Sequence, residues 1–168
     1  MKKNLLSDEG SKILVKAIAK SKSIVHLDLS SNSITHKGAK KIFNSLLYNT
    51  SLISLKLGSI DGVNKNKVGY KGVPYIVTLL QLSKFLQFLD LKGNLLSDSG
   101  IQTLCDGLFE NKILRGLNLS SNDITSYGVE KLKDTLIKTE LQELDMSSNP
   151  LGNQGIDNLC KYLSHSTC

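Results

Sequence analysis

Apolar residues along the chain follow two different periods. Short stretches such as HLDL (26–29) and GLNL (116–119) place leucine at every second position, the pattern of a strand with one face turned inward. Stretches such as IQTLCDGL (101–108) and VEKLKDTL (129–136) place apolar residues at i, i+3 and i+7: Ile101, Leu104 and Leu108, then Val129, Leu132 and Leu136. That spacing predicts amphipathic helices. The two kinds of stretch alternate along nearly the whole chain, which predicts an α/β architecture.

The alternation is itself periodic. Aligned on LxLxxN, the chain reads IVHLDLSSNSITHKG from Ile24, LQFLDLKGNLLSDSG from Leu86, LRGLNLSSNDITSYG from Leu114 and LQELDMSSNPLGNQG from Leu141. A helix-like stretch follows each one, and these units run 28, 28, 27 and 28 residues. A further unit, 52–85, is 34 residues long; its NKVGYKG (66–72) matches NSITHKG (32–38), so six extra residues lie between Leu57 and Asn66. The opening NLLSDEG (4–10) agrees with NLLSDSG (94–100) at six of seven letters, so the chain starts inside a unit whose strand is missing, with residues 11–20 as its helix. Neither strand nor helix can bury its apolar face alone, so stacking of the units is required. One domain, 1–168, is expected: a half repeat (1–23), then repeats 24–51, 52–85, 86–113, 114–140 and 141–168.

These units resemble the leucine-rich repeat family, specifically its ribonuclease-inhibitor-like class with a unit of this length, over nearly the whole chain. The resemblance implies an α/β solenoid, a curved horseshoe segment with short parallel strands on the concave face and helices on the convex face. The asparagine column is Asn32, Asn66, Asn94, Asn122 and Asn149. Each stands where a strand ends and backbone groups turn away from the ladder, and an amide side chain both donates and accepts there. The resemblance makes this column an internal structural ladder. The glycine column, Gly38, Gly72, Gly100, Gly128 and Gly155, falls at the helix starts, where a close backbone approach or a positive φ excludes a side chain.

Charge is unevenly spread. Residues 1–85 hold 14 lysines and 4 acids, whereas residues 86–168 hold 7 basic residues and 11 acids, so a net +6 conceals a dipole along the chain. No 18-residue apolar run and no secretory signal stands in the sequence. Three cysteines, Cys105, Cys160 and Cys168, an odd count, indicate a reducing compartment, and a cytoplasmic location is expected. Cys105 and Cys160 occupy equivalent helix positions two repeats apart, about 10 Å even at strand spacing, which is beyond disulfide reach. They are expected to be small buried helix residues, and Cys168 to be exposed.

Candidate chemistry is sparse. His26, Asp28 and Ser30 imitate a catalytic triad, but alternating positions on one strand lie about 6.5–7 Å apart with parallel side chains. Asp90 and Asp145 repeat Asp28, and Ser120 and Ser147 repeat Ser30, so these are columns of the repeat and no enzyme activity is expected. No CxxC, HxxxH, GxxxxGK[ST] or GxGxxG occurs, so neither a metal nor a cofactor is expected. The acceptor patterns NTS (49–51) and NLS (118–120) are read as idle without a secretory signal. Lys12, Lys16 and Lys20 are spaced i, i+4, i+8, and Lys37, Lys40 and Lys41 follow on the next helix. They are read as a solvated helix face without accompanying stacking aromatics, with nucleic acid or an anionic membrane as the less favoured partner.

Function is expected on the concave face, where the outward strand positions line up. The candidate partner-binding residues there are His26, Asp28, Lys56, Phe88, Asp90, Lys92, Asn118, Glu143 and Asp145. Phe88 replaces a polar residue at the middle of the array and is the candidate anchor. Ile60, Asp61 and Val63 belong to the excess segment 58–65, expected to bulge as a loop at the strand ends. The leading expectation is a non-catalytic scaffold that binds an unidentified partner protein, as the resemblance to ribonuclease inhibitors, tropomodulin-like cappers and immune receptors implies. The alternative is a GTPase-activating protein of the Ran-activator type; a ribonuclease target is disfavoured because the first half of the chain is basic. A monomer is expected. The sequence shows no distinct cap at either end, which reads as a piece of a longer array or as residues 1–20 serving as a half-cap. An open final strand at Leu141–Met146 exposes the chain to end-to-end association.

Overall fold

The structure, a computed structural model, describes residues 1–59, 62 and 64–165. Helices and three-residue strands alternate: α1 (Ser7–Ile18), β1 (His26–Asp28), α2 (His36–Leu46), β2 (Ser54–Lys56), α3 (Gly69–Leu82), β3 (Phe88–Asp90), α4 (Ser97–Phe109), β4 (Gly116–Asn118), α5 (Ser126–Leu136), β5 (Glu143–Asp145) and α6 (Gly152–His165). The strands form one parallel sheet in sequence order. Their register aligns the same residue of every unit, so Leu27, Leu55, Leu89, Leu117 and Leu144 make one row across the sheet. The first four are buried and Leu144 is half-buried on the last strand. The core lies between the sheet and the helix row, and the expected helix stripes are in it: Ile101, Leu104, Leu108, Val129, Leu132 and Leu136 are all buried. The α/β solenoid inferred from the repeat is therefore the fold.

Every unit is wired to the next at the strand exits. Asn66 is fully buried; its Oδ1 accepts the N–H groups of Asn32 (3.0 Å) and Ile34 (2.9 Å), and its Nδ2 donates to the carbonyls of Leu29 and Leu57. Asn32, Asn94, Asn122 and Asn149 make the same kind of two-way link. Backbone groups released by a three-residue strand need partners inside the core, and the amide supplies both polarities.

Helices begin in two ways. Thr35 and Thr125 are extended N-caps whose hydroxyls accept from Lys37 and Tyr127. Helices α1, α3, α4 and α6 are instead entered through a left-handed residue, Ser7 (φ 58), Gly69 (φ 59), Ser97 (φ 58) or Gly152 (φ 60). The helices thus start ahead of the glycine column. The column glycines are not the positive-φ residues; those are Gly62, Gly69, Gly93 and Gly152. Close approach is what the column serves, as a Cβ on Gly38 or Gly128 would run into the carboxylate of Asp8 or Asp98.

Those two carboxylates explain why the sequence writes NLLSD twice. Asp8 accepts the N–H groups of Thr35 (2.8 Å) and Gly38 (2.9 Å) and the Thr35 hydroxyl (2.6 Å). Asp98 does the same to Thr125 and Gly128. Each aspartate reaches across a repeat boundary and caps the next helix, satisfying N–H groups that lack an intrahelical partner. Burial pushes the Asp8 carboxyl up, but the bonds from Thr35 and Gly38, with the charge of Lys41, outweigh it and hold the group below the ordinary aspartate range.

Candidate functional site on the sheet face

The side chains that alternate away from the core project from the sheet face. Burial along β1 and β3 runs exposed, buried, half-buried, as a period of two requires. The face is hollow. A cavity of about 650 Å³ spans it, lined by His26, Ser54, Lys56, Phe88, Asp90, Gly116, Asn118, Glu143 and Asp145, with Leu89, Leu117 and Leu144 in its floor. Seven of the sequence-selected residues meet there. Asp28 and Lys92 stand outside its lining, and Lys92 lines a smaller cavity of about 210 Å³ at the strand exits with Ser59, Lys65, Lys67 and Asp123. Ile60, Asp61 and Val63 lie outside the described residues.

Two glycines shape the face. A Cβ on Gly116 would meet the Phe88 ring at 2.5 Å, so the ring leans from β3 over the notch that Gly116 leaves in β4. Phe88 keeps 37 % of its surface exposed in that pose. A Cβ on Gly58 would meet the Asp90 carboxylate at 2.8 Å. Room for a neighbouring strand's side chain, rather than a turn, sets both glycines. The outward row is also less exposed than alternation alone suggests, for Ser30, Ser54 and Ser120 are buried.

The third residue of most strands spends its side chain locally. Asp28, Asp90, Asn118 and Asp145 each accept the N–H two residues on, from Ser30, Lys92, Ser120 and Ser147, at 2.9 Å. This turn closes the strand. For Asp28, burial raises the carboxyl, and bonds from Ser30 with the charges of Lys2 and Lys56 more than offset it. For Asp145, bonds from Ser147 dominate and likewise hold the group low. The Asp28 carboxylate of the triad imitation at His26, Asp28 and Ser30 is thus committed to the Ser30 N–H. The face offers binding chemistry: one ring, charges of both signs, and a wettable rim.

Two expectations need correction, on the cysteines and on the convex lysines. Cys160 is exposed and Cys105 is half-buried, with its Sγ donating to the Lys131 carbonyl of α5 rather than entering the core; both are free thiols. Burial still pushes the Cys105 thiol up. Aromatic rings do accompany the convex lysines: Lys40 Nζ lies 5.0 Å from the Tyr75 ring, a contact between α2 and α3 that only the stack creates. Asn49, in the first acceptor pattern, is buried and donates to the carbonyls of Ile18 and Ser21, so its amide is committed. Cys168 lies outside the described residues. Among those described, no helix is long and apolar enough to cross a membrane.

Sequence reasoning missed a second set of inter-repeat links, at the strand entrances. There Ser21, Asn49, Ser83 and Asn111 accept N–H groups three residues ahead, and the two asparagines also donate to the preceding unit. The residue type changes from unit to unit, so no column stands out. The Asp8 and Asp98 clamps were signalled only by the repeated NLLSD, whose partners lie 27 residues away.

The family signature described as Leucine Rich repeat matches residues 20–43, 82–105, 110–133 and 138–160. The chain is 32 % identical over 162 residues to a ribonuclease inhibitor of Sus scrofa, covering 95 % of this chain and 34 % of that protein. It is 30 % identical over 173 residues to NACHT, LRR and PYD domains-containing protein 12 of Mus musculus, covering all of this chain and 16 % of that one. The chain thus spans a minor part of these relatives. In structure it resembles leiomodin-1 actin-binding site 2, with a TM-score of 0.73 at 15 % identity over 89 % of this chain and 85 % of that one. It also resembles the tropomodulin C-terminal domain of Caenorhabditis elegans, with a TM-score of 0.71 at 8 % identity over 94 % and 91 %. At these identities the likeness concerns the fold.

Proposed function

The chain belongs to the leucine-rich repeat family, in its ribonuclease-inhibitor-like form, and we propose that it is a non-catalytic scaffold whose sheet face grips a partner protein. The observation that carries this reading is Phe88, a ring 37 % exposed at the middle of a hollow face and seated over a glycine. A positioned aromatic among charges is the usual build of an interface anchor. Lys56 and Asp90 flank it, with Glu143 and Asp145 toward the last strand, which gives the face charges of both signs for partner selection. One relative is named for inhibiting ribonuclease and one structural neighbour for an actin-binding site, which supports a role exerted through another protein. The 58–65 segment, at the exits of the same strands, belongs to this proposed surface.

The test is a pull-down from cell extract with the chain and with a Phe88→Ala, Lys56→Glu variant, after melting curves show both folded. A partner that the chain retains and the variant does not supports the sheet face. Equal retention by both defeats it and moves attention to the 58–65 segment.

A further inference from the structure

The connections from each helix to the following strand carry a second surface that the scaffold reading does not use. Parallel strands in sequence order put all five connections on one lateral side of the stack. All five connections bring apolar side chains into solvent there or at the helix end just before: Val25 (37 % exposed), Tyr48 (85 %), Leu82 (44 %), Phe85 (41 %), Phe109 (46 %) and Ile137 (55 %). The opposite side, between strands and the helices that follow, exposes Met1, Leu5 and Leu95 in its connections and Tyr70 and Tyr127 in the first turns of α3 and α5. Buried cores do not need these side chains, and exposed apolar residues returning at successive connections mark an interaction surface.

Charge accompanies the row. The connections hold Lys20, Lys22, Lys84, Lys112, Arg115 and Lys138 against Glu110 and Glu140. Part of this charge has local work. Lys112 donates to the Lys138 carbonyl, Arg115 to the carbonyls of Lys112 and Glu140, and Lys138 sits 4.3 Å from the Phe109 ring. These contacts tie the last two connections to each other. Lys20, Lys22 and Lys84 are exposed along its first half.

We propose that this lateral edge rests on an anionic phospholipid surface. An interfacial site needs apolar side chains that enter the headgroup region and cations beside them that meet lipid phosphates and carboxylates. Both are here, on the flank of the stack. A specific protein interface is the poorer fit, because lysine is depleted from the cores of such interfaces. Nucleic acid is also a poorer fit: single strands need rings free to stack, and the Phe109 ring is already faced by Lys138. The lysines of the convex helix face, Lys12, Lys16 and Lys40, lie on a different surface without this row.

The experiment is vesicle co-sedimentation of the full chain with phosphatidylcholine vesicles, with and without phosphatidylserine. Three variants accompany it: Tyr48→Ser with Ile137→Ser, Lys22→Glu with Lys84→Glu, and the convex control Lys12→Glu with Lys40→Glu. Melting curves check that each is folded. The chain is expected to bind only the anionic vesicles, more weakly as salt rises. Each edge variant is expected to drop roughly tenfold in partition, and the convex control less than about twofold. No binding to anionic vesicles overturns the proposal. So does an equal drop in the convex control, or retention by the apolar edge variant, since either assigns attraction to diffuse lysine charge. Displacement of the vesicles by single-stranded RNA that both edge variants still bind overturns it in favour of nucleic acid. The edge variants leave Phe88 and Lys56 intact, so the sheet-face pull-down reads the other proposal independently.

Discussion

The two lateral sides of this stack do the same topological job under different constraints. On the side where strands lead into helices, the same residue returns in every unit and each asparagine bonds in both directions. All the left-handed non-glycine residues among those described also lie on that side or in the segment before α1, from Lys3 to Ser148. On the side where helices lead into strands, the linking residue changes between serine and asparagine, and large apolar side chains face solvent. The difference follows from depth. Strand exits dive into the core, where an unpaired backbone group has no water to turn to. Strand entrances run closer to the surface, where solvent supplies partners and sequence is free to vary. Freedom of that kind leaves room for a second binding surface.

The strongest way to break the comparison is to remove one ladder residue. Asn66→Ala orphans two N–H groups and the Leu29 carbonyl, each fully enclosed, and leaves the Leu57 carbonyl to Asn94 alone. At roughly 1–3 kcal/mol per buried unpaired group, we expect a destabilisation of at least about 3 kcal/mol in urea denaturation, enough to unfold much of the stack. Asn149→Ala, half-buried beyond the last strand, is expected to cost about half as much. Equal costs would mean that burial is not what makes the ladder strict.

Asn111→Ala probes the other side. It orphans the Leu80 carbonyl (2.6 Å) and the N–H groups of Ile113 and Leu114. Water reaches part of this site, as Ile113 is half-buried, so about 2 kcal/mol is expected from the same denaturation experiment. A cost as large as that of Asn66→Ala would erase the distinction between the sides.

How much of this could be read from the letters depends on how each residue finds its partner. The asparagine ladder and the leucine rows were legible because one physical need recurs in every unit, so a column forms. Phe88 was legible because a period of two places it outward, and a ring there breaks its own column. Gly116 was not legible as its seat, because the two meet only through the register of β3 and β4. The Asp8 and Asp98 clamps were visible as repeated text without a stated purpose; the partner sits one repeat on, and only stacking brings it near. The changing links at Ser21, Asn49, Ser83 and Asn111 left no column to notice.

Asp8 offers a test in pH. Its folded carboxyl titrates below its unfolded value, so its contribution is full above about pH 4 and fades as pH falls through the lower, folded value. Asp8→Asn is expected to cost about 1 kcal/mol at neutral pH, the usual size for a helix cap, with the gap from the parent closing below about pH 4. Melting temperatures of parent and variant between neutral pH and about pH 3 provide the check. A gap that persists in acid would show that Asp8 acts by shape rather than charge.

The smallest effect has the opposite sign and separates the two sides most cleanly. Leu95 holds φ at 58° and is half-exposed, so it bears left-handed strain and recovers only part of the burial energy a leucine can give. Asparagine tolerates that region through its short polar side chain. Leu95→Asn is therefore expected to stabilise the chain by about 0.5 kcal/mol, because relief of the strain outweighs the partial burial that the leucine gives up. Tyr48, on the other side, is 85 % exposed and has no positive φ to relieve, so Tyr48→Asn is expected to change stability by less than about 0.5 kcal/mol. Paired urea titrations of the two variants decide the matter. If Leu95→Asn destabilises, the first leucine of NLLSD is held by its packing rather than tolerated under strain, and the strand-exit side owes its strictness to packing as well as to hydrogen bonds.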